Sequence, residues 1–486
     1  MKTRIAVLLC GCLLVACVAA GVQMLVNPAC YLSQGPSGPV ATFTFGIQAN
    51  TTNVPPTITA ATITNFGPEI LWTAPDASTT NTKTPPFTFF TNAGQYTLTI
   101  SQWPKVTAYS FNQATVRAFV TNVTISGVSN SQTALASISW AYNTNRFGWS
   151  NAELLPVSIN TLNSSWRDSG VTNMPVVSNL VRNTSLDRTF NGCSGLTGSM
   201  SDFSTMVLNT SLGYTFQSCS GLTGPMSDFS TMVLNTSLSA TFNGCSGLTG
   251  PMSDFSTIVS NTTLNTTFNG CSGLTGPMSD FSTMVLNTSL IATFQSCSGL
   301  TGPMSDFSTM VLNTSLSATF SGCSGLTGSM SDFSTMVSNT TCSETFRMCS
   351  GLTGNVSNFA TMVKCTTFHD CFRSCSNLTG SVGNWTPWRT NIVDFDCYNS
   401  KLTYTNRPGC FANNIKTNGF TMRWDNCSLV QDDVSQILID LDNSGATNGT
   451  INVGGTTVGI SNQAANAAGY VAVTNLRAKT WTVTVN

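Results

Sequence analysis

The sequence predicts a β-rich solenoid of 26-residue turns, about eight regular copies long, set between a β-rich N-terminal domain and a small α/β C-terminal cap. Three observations carry this. Cysteines fall at Cys193, Cys219, Cys245, Cys271, Cys297, Cys323, Cys349 and Cys375, each 26 residues after the last, with no insertion or deletion between them. A fixed period of that length marks an architecture in which each unit is one turn stacked on its neighbour. Within a unit such as Thr215 to Ala240, the apolar residues follow neither a sustained period of 2 nor one of 3.6, so the turn is neither one long strand nor one helix. Finally, a 486-residue chain with only 8% charged residues exceeds one ordinary domain and builds a core of good size only if its turns stack.

The unit reads roughly T-F-x-x-C-S-G-L-T-G-P-M-S-D-F-S-T-M-V-L-N-T-S-L-x-x. A short extended stretch, a glycine corner, a second short stretch and a half-turn fit it. Gly221 and Gly224 flank Leu222-Thr223 and suit the corners, where positive φ is needed. Asp228 opens D-F-S-T-M-V and suits the N-cap of a short helical turn. Stacking in register sets each apolar position above its copy. One Phe ladder then runs from Phe190 to Phe372, a Leu ladder from Leu196 to Leu378, and a second aromatic ladder from Phe203 to Phe359, with Trp385 next in line. At about 4.8 Å per rung the eight turns make a rod on the order of 40 Å long.

This pattern resembles a leucine-rich repeat, whose consensus admits Asn or Cys at one buried position. Leu222-Thr223-Gly224-Pro225-Met226 is similar to the corner of plant-type repeats, and the 26-residue period with its F-x-x-C-S-x-L-T core resembles the bacterial and mycoplasmal surface-protein repeat called BspA-like. The resemblance covers about 190 residues and implies a leucine-rich-repeat-like, surface-exposed binding solenoid. The departure is at the corner, where the surface repeat has L-x-x-L-x-L and this chain has L-T-G-P-M.

Residues 1–22 form a signal peptide or N-terminal membrane anchor. Lys2 and Arg4 precede the apolar run Ile5 to Leu14 and then small residues. Val18-Ala19-Ala20 fits a signal-peptidase site, Leu14-Val15-Ala16-Cys17 resembles a bacterial lipobox, and Ile5 to Val26 is long enough to span a bilayer uncleaved. All three readings place the chain outside the cytoplasm, at a cell surface, a virion surface or free. Residues 23–160 alternate polar and apolar types, as in Ala41 to Phe45, Gln95 to Ile100 and Ala136 to Trp140, and read as a β-rich domain. Residues 161–406 hold the solenoid, beginning with a degraded repeat in which Met174, Asn183 and Leu186 lie 26 before Met200, Asn209 and Leu212. Residues 407–486 read as the cap, with a helix capped by Asp432 or Asp433 and running through Leu441. After it come a strand over Gly449 to Gly454, a helix over Asn466 to Lys479 and a closing strand over Trp481 to Val485.

The chemistry is sparse. Net charge is −1, and no Lys or Arg occurs between Arg188 and Arg347, which argues against nucleic acid and against a polybasic membrane patch. Membrane contact is expected only through the N-terminal segment. The Cys ladder reads as buried thiols, although adjacent rungs put its members within disulfide range and an exported chain is oxidised. Cys342, Cys365, Cys371, Cys397, Cys410 and Cys427 lie outside the ladder and are the better disulfide candidates. With one histidine, His369, and no C-x-x-C pair, no zinc site is expected, and His369 beside Asp370 reads as structural. The row Asp202, Asp228, Asp254, Asp280, Asp306 and Asp332 offers calcium a ladder of carboxylates, but capping accounts for each without a metal. There are 16 N-x-S/T motifs, and Asn209, Asn235, Asn261, Asn287, Asn313 and Asn339 would set one glycosylation acceptor on each turn.

No nucleophile or phosphate-binding motif is present, so no catalysis and no cofactor are expected. Positions that vary within the copied unit, represented by Tyr214, Gln217, Ile291 and Gln295, mark either a recognition face or drift on a solvated one. The functional expectation is a non-enzymatic exported surface protein that mediates adhesion or binds a surface protein or glycan ligand. A structural coat protein of a virion, sheath or extracellular filament, built by self-association, is the alternative.

Overall fold

The computed structural model describes residues 159–382, 392–404, 411 and 415–486 in full, and before them the backbone of short strands between Leu13 and Phe147. Leu13–Val18 and Gly21–Val26 pair as an antiparallel hairpin. The rest of the proposed leader lies outside the described residues, and no described helix is long and apolar enough to cross a membrane. Further along, a five-stranded antiparallel sheet runs in the order Val120–Ser126, Ala41–Ile47, Gly94–Ile100, Ile70–Thr73 and Thr79–Asn81.

From residue 159 the chain winds as stacked turns, and the hydrogen bonding explains why T-F-x-x-C recurs. Along Leu212 to Ser218, every second N–H donates to the turn ahead. Leu212, Tyr214, Phe216 and Ser218 reach the carbonyls of Ser237, Ser239, Thr241 and Asn243 at 2.7–3.0 Å. The intervening Thr215 and Cys219 amides instead close turns onto Leu212 and Phe216 of their own rung. Tyr214 and Ser218 accordingly sit at φ of 57° and 62°, and the pattern repeats at Ala240, Thr266, Ala292 and Ala318. The extended stretch expected here is therefore a string of tight turns. Its strand-like character is reduced to parallel bridges such as Ser211↔Ser237 and Gly224↔Leu248.

Such turns leave carbonyls pointing along the stack, and buried carbonyls need donors. The buried Thr and Cys of the following rung supply them. Thr241 Oγ1 lies 2.8 Å from both Leu212 O and Leu238 O, and Cys245 Sγ donates to Phe216 O at 3.0 Å. Phe packs between these columns. Phe216 stacks on Phe190 and Phe242 at 5.6 Å each, and the Phe203 column meets it edge-on, also at 5.6 Å. The two columns alternate every 13 residues, so each turn is two half-turns that share one aromatic core.

The corner glycine is dictated by contact as well as by conformation. A Cβ on Gly273 would stand 2.5 Å from Leu248 O and 2.8 Å from Ser246 O, closer than the rungs allow. The helical turn expected after Asp228 does not form. Its Oδ1 accepts the Ser230 N–H, two residues on, at 2.8 Å, an Asx-type turn that takes the place of helix capping. Among the described 26-residue turns, helical geometry enters at Val356–Thr361, a 3-10 helix capped by Asn355.

Parallel pairing continues without a break across residue 406. Thr367–Phe368, Asp394–Asp396, Thr421–Arg423, Thr450–Asn452 and Thr482–Thr484 form one five-stranded parallel sheet. Helix α1 (Gln431–Asn443) and helix α2 (Ala467–Ala478) pack together beside it. Asn466 caps α2 through the Gly469 N–H, but the cap of α1 is Val430, without a side-chain bond. Asp432 and Asp433 lie one step inside, in the first turn, where the helix dipole favours them.

Candidate functional site: an aliphatic ridge and a charged end

Each tight turn in the M-V-L-N segment sends two side chains inward and two outward. Met232 and Asn235 are buried, while Val233 and Leu234, held at the outer corner by the Val233 N–H to Thr231 O and the Asn235 N–H to Met232 O bonds, face water. Repetition makes a ridge. Val181, Val207, Val233, Val259, Val285, Val311 and Val337, with Leu208, Leu234, Leu286 and Leu312, are each 45–48% exposed. Arg182, Ser260 and Ser338 stand at the Leu position in the other three turns. The sequence alone does not place this Val-Leu pair; the structure turns it outward.

Next to the ridge lies a buried asparagine column. Asn209, Asn235, Asn261, Asn287, Asn313 and Asn339 have no exposure, which corrects their assignment as glycan acceptors in the folded chain. Asn235 Nδ2 donates to Asn209 Oδ1 at 3.2 Å, and Asn287 Nδ2 to Asn261 Oδ1 at 3.4 Å. Asn287 Oδ1 also accepts the Ser289 N–H at 3.1 Å. An amide can offer both a donor to the rung before and an acceptor to its own turn, as Asn235 and Asn287 do, so the N-T-S signature reflects turn geometry.

The eight ladder cysteines are buried with free thiols, and burial pushes them up, to about 11 at Cys193 and about 12 at Cys245, Cys323 and Cys375. Thiols held protonated in this way are poor nucleophiles and poor metal ligands. Of the cysteines outside the ladder, Cys342, Cys365, Cys371, Cys397 and Cys427 are also free and buried, and Cys410 lies outside the described residues. Cys365 Sγ stands 3.0 Å from Cys342 Sγ, and Cys427 Sγ donates to Cys397 O at 3.3 Å.

The positions that vary fall on one edge but are partly committed to neighbouring rungs. Gln217 and Gln295 accept from Asn191 and Asn269 at 2.7 and 3.0 Å, and Arg188 lies over the Tyr214 ring at 4.8 Å. Ile291 is the most open of the four. The Asp row is exposed, and each carboxylate accepts the N–H of the Ser two residues on.

Charge gathers where the regular copies end. His369 Nδ1 lies 3.1 Å from Asp396 Oδ2 and 3.7 Å from Asp394 Oδ2, while Asp370 is held by Arg373 at 2.9 Å and Arg347 at 3.7 Å. Burial raises Asp396 to about 6 against the opposing pull of His369, and Asp394 is raised for the same first reason. His369, Asp370 and Asp396 offer ligand atoms within 4.8 Å of one another, an arrangement able to hold a cation. The two guanidinium groups already neutralise Asp370, so the arrangement works equally as an ion-pair network between rungs. Sequence reasoning isolated His369; adding one 26-residue period lands between Asp394 and Asp396 and finds its partners.

A family model described as "Mycoplasma protein of unknown function, DUF285" matches residues 160–287 and again residues 288–401. The repeats match a Mycoplasma family. That match fits a mycoplasmal, BspA-like repeat protein and spans the stacked turns. A comparison with curated proteins finds no match for the chain.

Proposed function

We propose that the chain is a non-enzymatic, exported surface protein whose leucine-rich-repeat-like solenoid of about eight regular turns mediates adhesion or ligand recognition. The observation that carries this reading is the aliphatic ridge. A contiguous, half-exposed apolar stripe on a stretch with no Lys or Arg between Arg188 and Arg347 is a surface suited to a partner. Its chemistry selects an apolar protein or glycan surface and disfavours nucleic acid, which requires clustered cations. The varying edge at Tyr214, Gln217, Ile291 and Gln295 would supply discrimination. The β-rich N-terminal domain would place the solenoid away from an anchored or processed N-terminus, and the C-terminal α/β segment would close its far end.

The test uses the full chain with Leu208, Leu234, Leu286 and Leu312 all changed to Ser, the residue that the turns at Ser260 and Ser338 already carry there. Labelled chain is applied to intact host cells and binding is read by flow cytometry. Retained circular dichroism with at least tenfold weaker binding supports the reading, and unchanged binding sinks it.

A second reading, the coat or filament protein, is favoured by the identical spacing of the ridge in every copy. One rod presents to another a stripe of the same period, with exposed area on the order of the ~800 Å² per partner of a standard interface. Sedimentation velocity separates the readings. Ordered self-association abolished by the four Ser substitutions favours the coat, and a monomer that binds cells favours recognition.

A further inference from the structure

Two positions of the repeat are kept in turn after turn until the regular copies end. Leu212, Leu238, Leu264, Leu290 and Leu316 occupy one, and the next copy has Cys342. Asn209, Asn235, Asn261, Asn287, Asn313 and Asn339 occupy the other, and the next copy has Cys365. Two buried ladders, one aliphatic and one amide, therefore break on adjacent rungs, and both break to the same residue type. The stack brings the two departures together: Cys365 Sγ lies 3.0 Å from Cys342 Sγ, closer than an ordinary sulfur–sulfur contact, with both residues buried. Neither thiol repeats the task of the residue it replaces. A Cys at 365 cannot give Asn339 Oδ1 the amide donor that Asn209, Asn261 and Asn313 receive from the next rung, and a Cys at 342 fills less of the core than Leu. As separate thiols the pair weakens two ladders at once. As a bond, it replaces the lost inter-rung hydrogen bond with a covalent link.

We propose that Cys342 and Cys365 form a disulfide that staples the last regular turn to the irregular turns after it. The reaction is thiol–disulfide exchange with a small-molecule or protein disulfide as oxidant. The Cys342 thiolate attacks one sulfur of glutathione disulfide and expels a glutathione thiolate. The Cys365 thiolate then attacks the Cys342 sulfur of the mixed disulfide and expels the second. Two protein thiols and one glutathione disulfide become one protein disulfide and two molecules of glutathione, the two cysteine protons passing to the released thiolates. Because both sulfurs are buried in the finished stack, the exchange takes place as these rungs dock. The site for such a staple is where it constrains most. In a stack whose turns contact only their neighbours, ends peel first, and this link joins copies that no longer match in sequence. Cys371, which replaces the Thr of T-F in the same turn, is the competing thiol; it carries no sulfur–sulfur contact as short as that of the pair.

The inference requires an oxidising compartment in the cell, but its test does not depend on export. The full chain is refolded in a defined glutathione and glutathione disulfide buffer, alkylated under denaturing conditions without reductant, digested and analysed by mass spectrometry. The expected product is a peptide pair joined through Cys342 and Cys365, lighter by two hydrogens than its reduced parts. Reduction should lower the thermal midpoint by roughly 5–10 °C. The variant Cys342→Leu/Cys365→Asn, which restores both ladders, should fold and show no response to reductant. Complete alkylation of Cys342 and Cys365 in the unreduced wild type overturns the proposal, as does a linkage of either one to Cys371.

Discussion

The asparagine column gives the sharpest test of how the turns are held together. Asn287 is fully buried, accepts the Ser289 N–H at 3.1 Å and donates to Asn261 Oδ1 at 3.4 Å. Replacing it with Ala removes both partners at once. Asn261 Oδ1 then lies unpaired in the core, at the full desolvation penalty, while the half-buried Ser289 amide recovers part of its loss from water. With about 1–3 kcal/mol for each buried group left unsatisfied, the sum is roughly 2–4 kcal/mol. That is a large share of the stability of an ordinary domain, about 5–15 kcal/mol. Because each turn contacts only its neighbours, a fault at a central rung should also uncouple the two halves of the stack. Urea unfolding followed by circular dichroism measures the loss, and Trp166 and Trp424, buried near opposite ends, report by fluorescence whether the ends still unfold together. Asn287→Asp keeps the acceptor but loses the donor and buries a charge, so it should be worse than Ala at neutral pH and partly recover in acid. A change below about 0.5 kcal/mol for Asn287→Ala, the scale of an open surface site, would refute the buried column.

Three further predictions follow from the same geometry. The ladder thiols, raised by burial to about 12 at Cys245, Cys323 and Cys375, should resist an aromatic disulfide reagent at pH 8 in the native chain and react fully in guanidinium; fast native labelling would mean the rungs are open. Gly273→Ala drives a Cβ into Leu248 O and should cost about 3 kcal/mol or more. Gly276→Ala, at φ +78° with nothing nearer than Pro251 Cβ at 3.9 Å, should cost only the left-handed penalty of about 1–2 kcal/mol, and equal effects would contradict the contact argument. Asp396, whose folded-state value of about 6 lies above 3.8, destabilises the fold most above pH 6 and is relieved as pH falls towards 4. Asp396→Asn, within the network of His369, Asp394, Asp370, Arg347, Arg373 and Arg423, should remove that slope. Asp202 and Asp254, lowered by hydrogen bonds from Ser204 and Ser256, act in the opposite direction, and their contribution is lost only in stronger acid.

How much of this could be read from the sequence follows from what a period encodes. The 26-residue spacing aligns each residue with its own copy, so the Phe and Cys columns were legible before any coordinates. It does not say which columns face inward, because the turn follows neither the helical nor the strand period from which inside and outside are normally inferred. Asn235 was therefore read as a surface acceptor, and the structure buries it, while Val233, which the period leaves unplaced, faces water. Composition misled at Asn235 because N-T-S satisfies a sequon as readily as it satisfies a rung. Asp228 was assigned the N-cap of a helical turn, and no helix forms there. Its carboxylate closes an Asx-type turn onto Ser230 instead, and the inter-rung bond from Phe229 N–H to Ser253 Oγ at 3.1 Å draws the chain into the stack. The helices at Gln431–Asn443 and Ala467–Ala478 were legible because ordinary 3.6 periodicity returns there.

The most direct measurement of the central claim, that the turns stack in register and align the ridge along one line, is a spin-label distance between Val207→Cys and Val337→Cys. Both positions are exposed, and they lie five turns apart. The native cysteines among the described residues are buried, so with Cys10, Cys12, Cys17, Cys30 and Cys410 changed to Ser the two labels are the reactive pair. The substitutions at Val207 and Val337 touch no core contact. In-register stacking at about 4.8 Å per rung predicts a narrow distribution centred near ~24 Å. A broad distribution near the ~60 Å expected for an unstacked chain of that length would contradict the stack and, with it, the ridge on which the binding proposal rests.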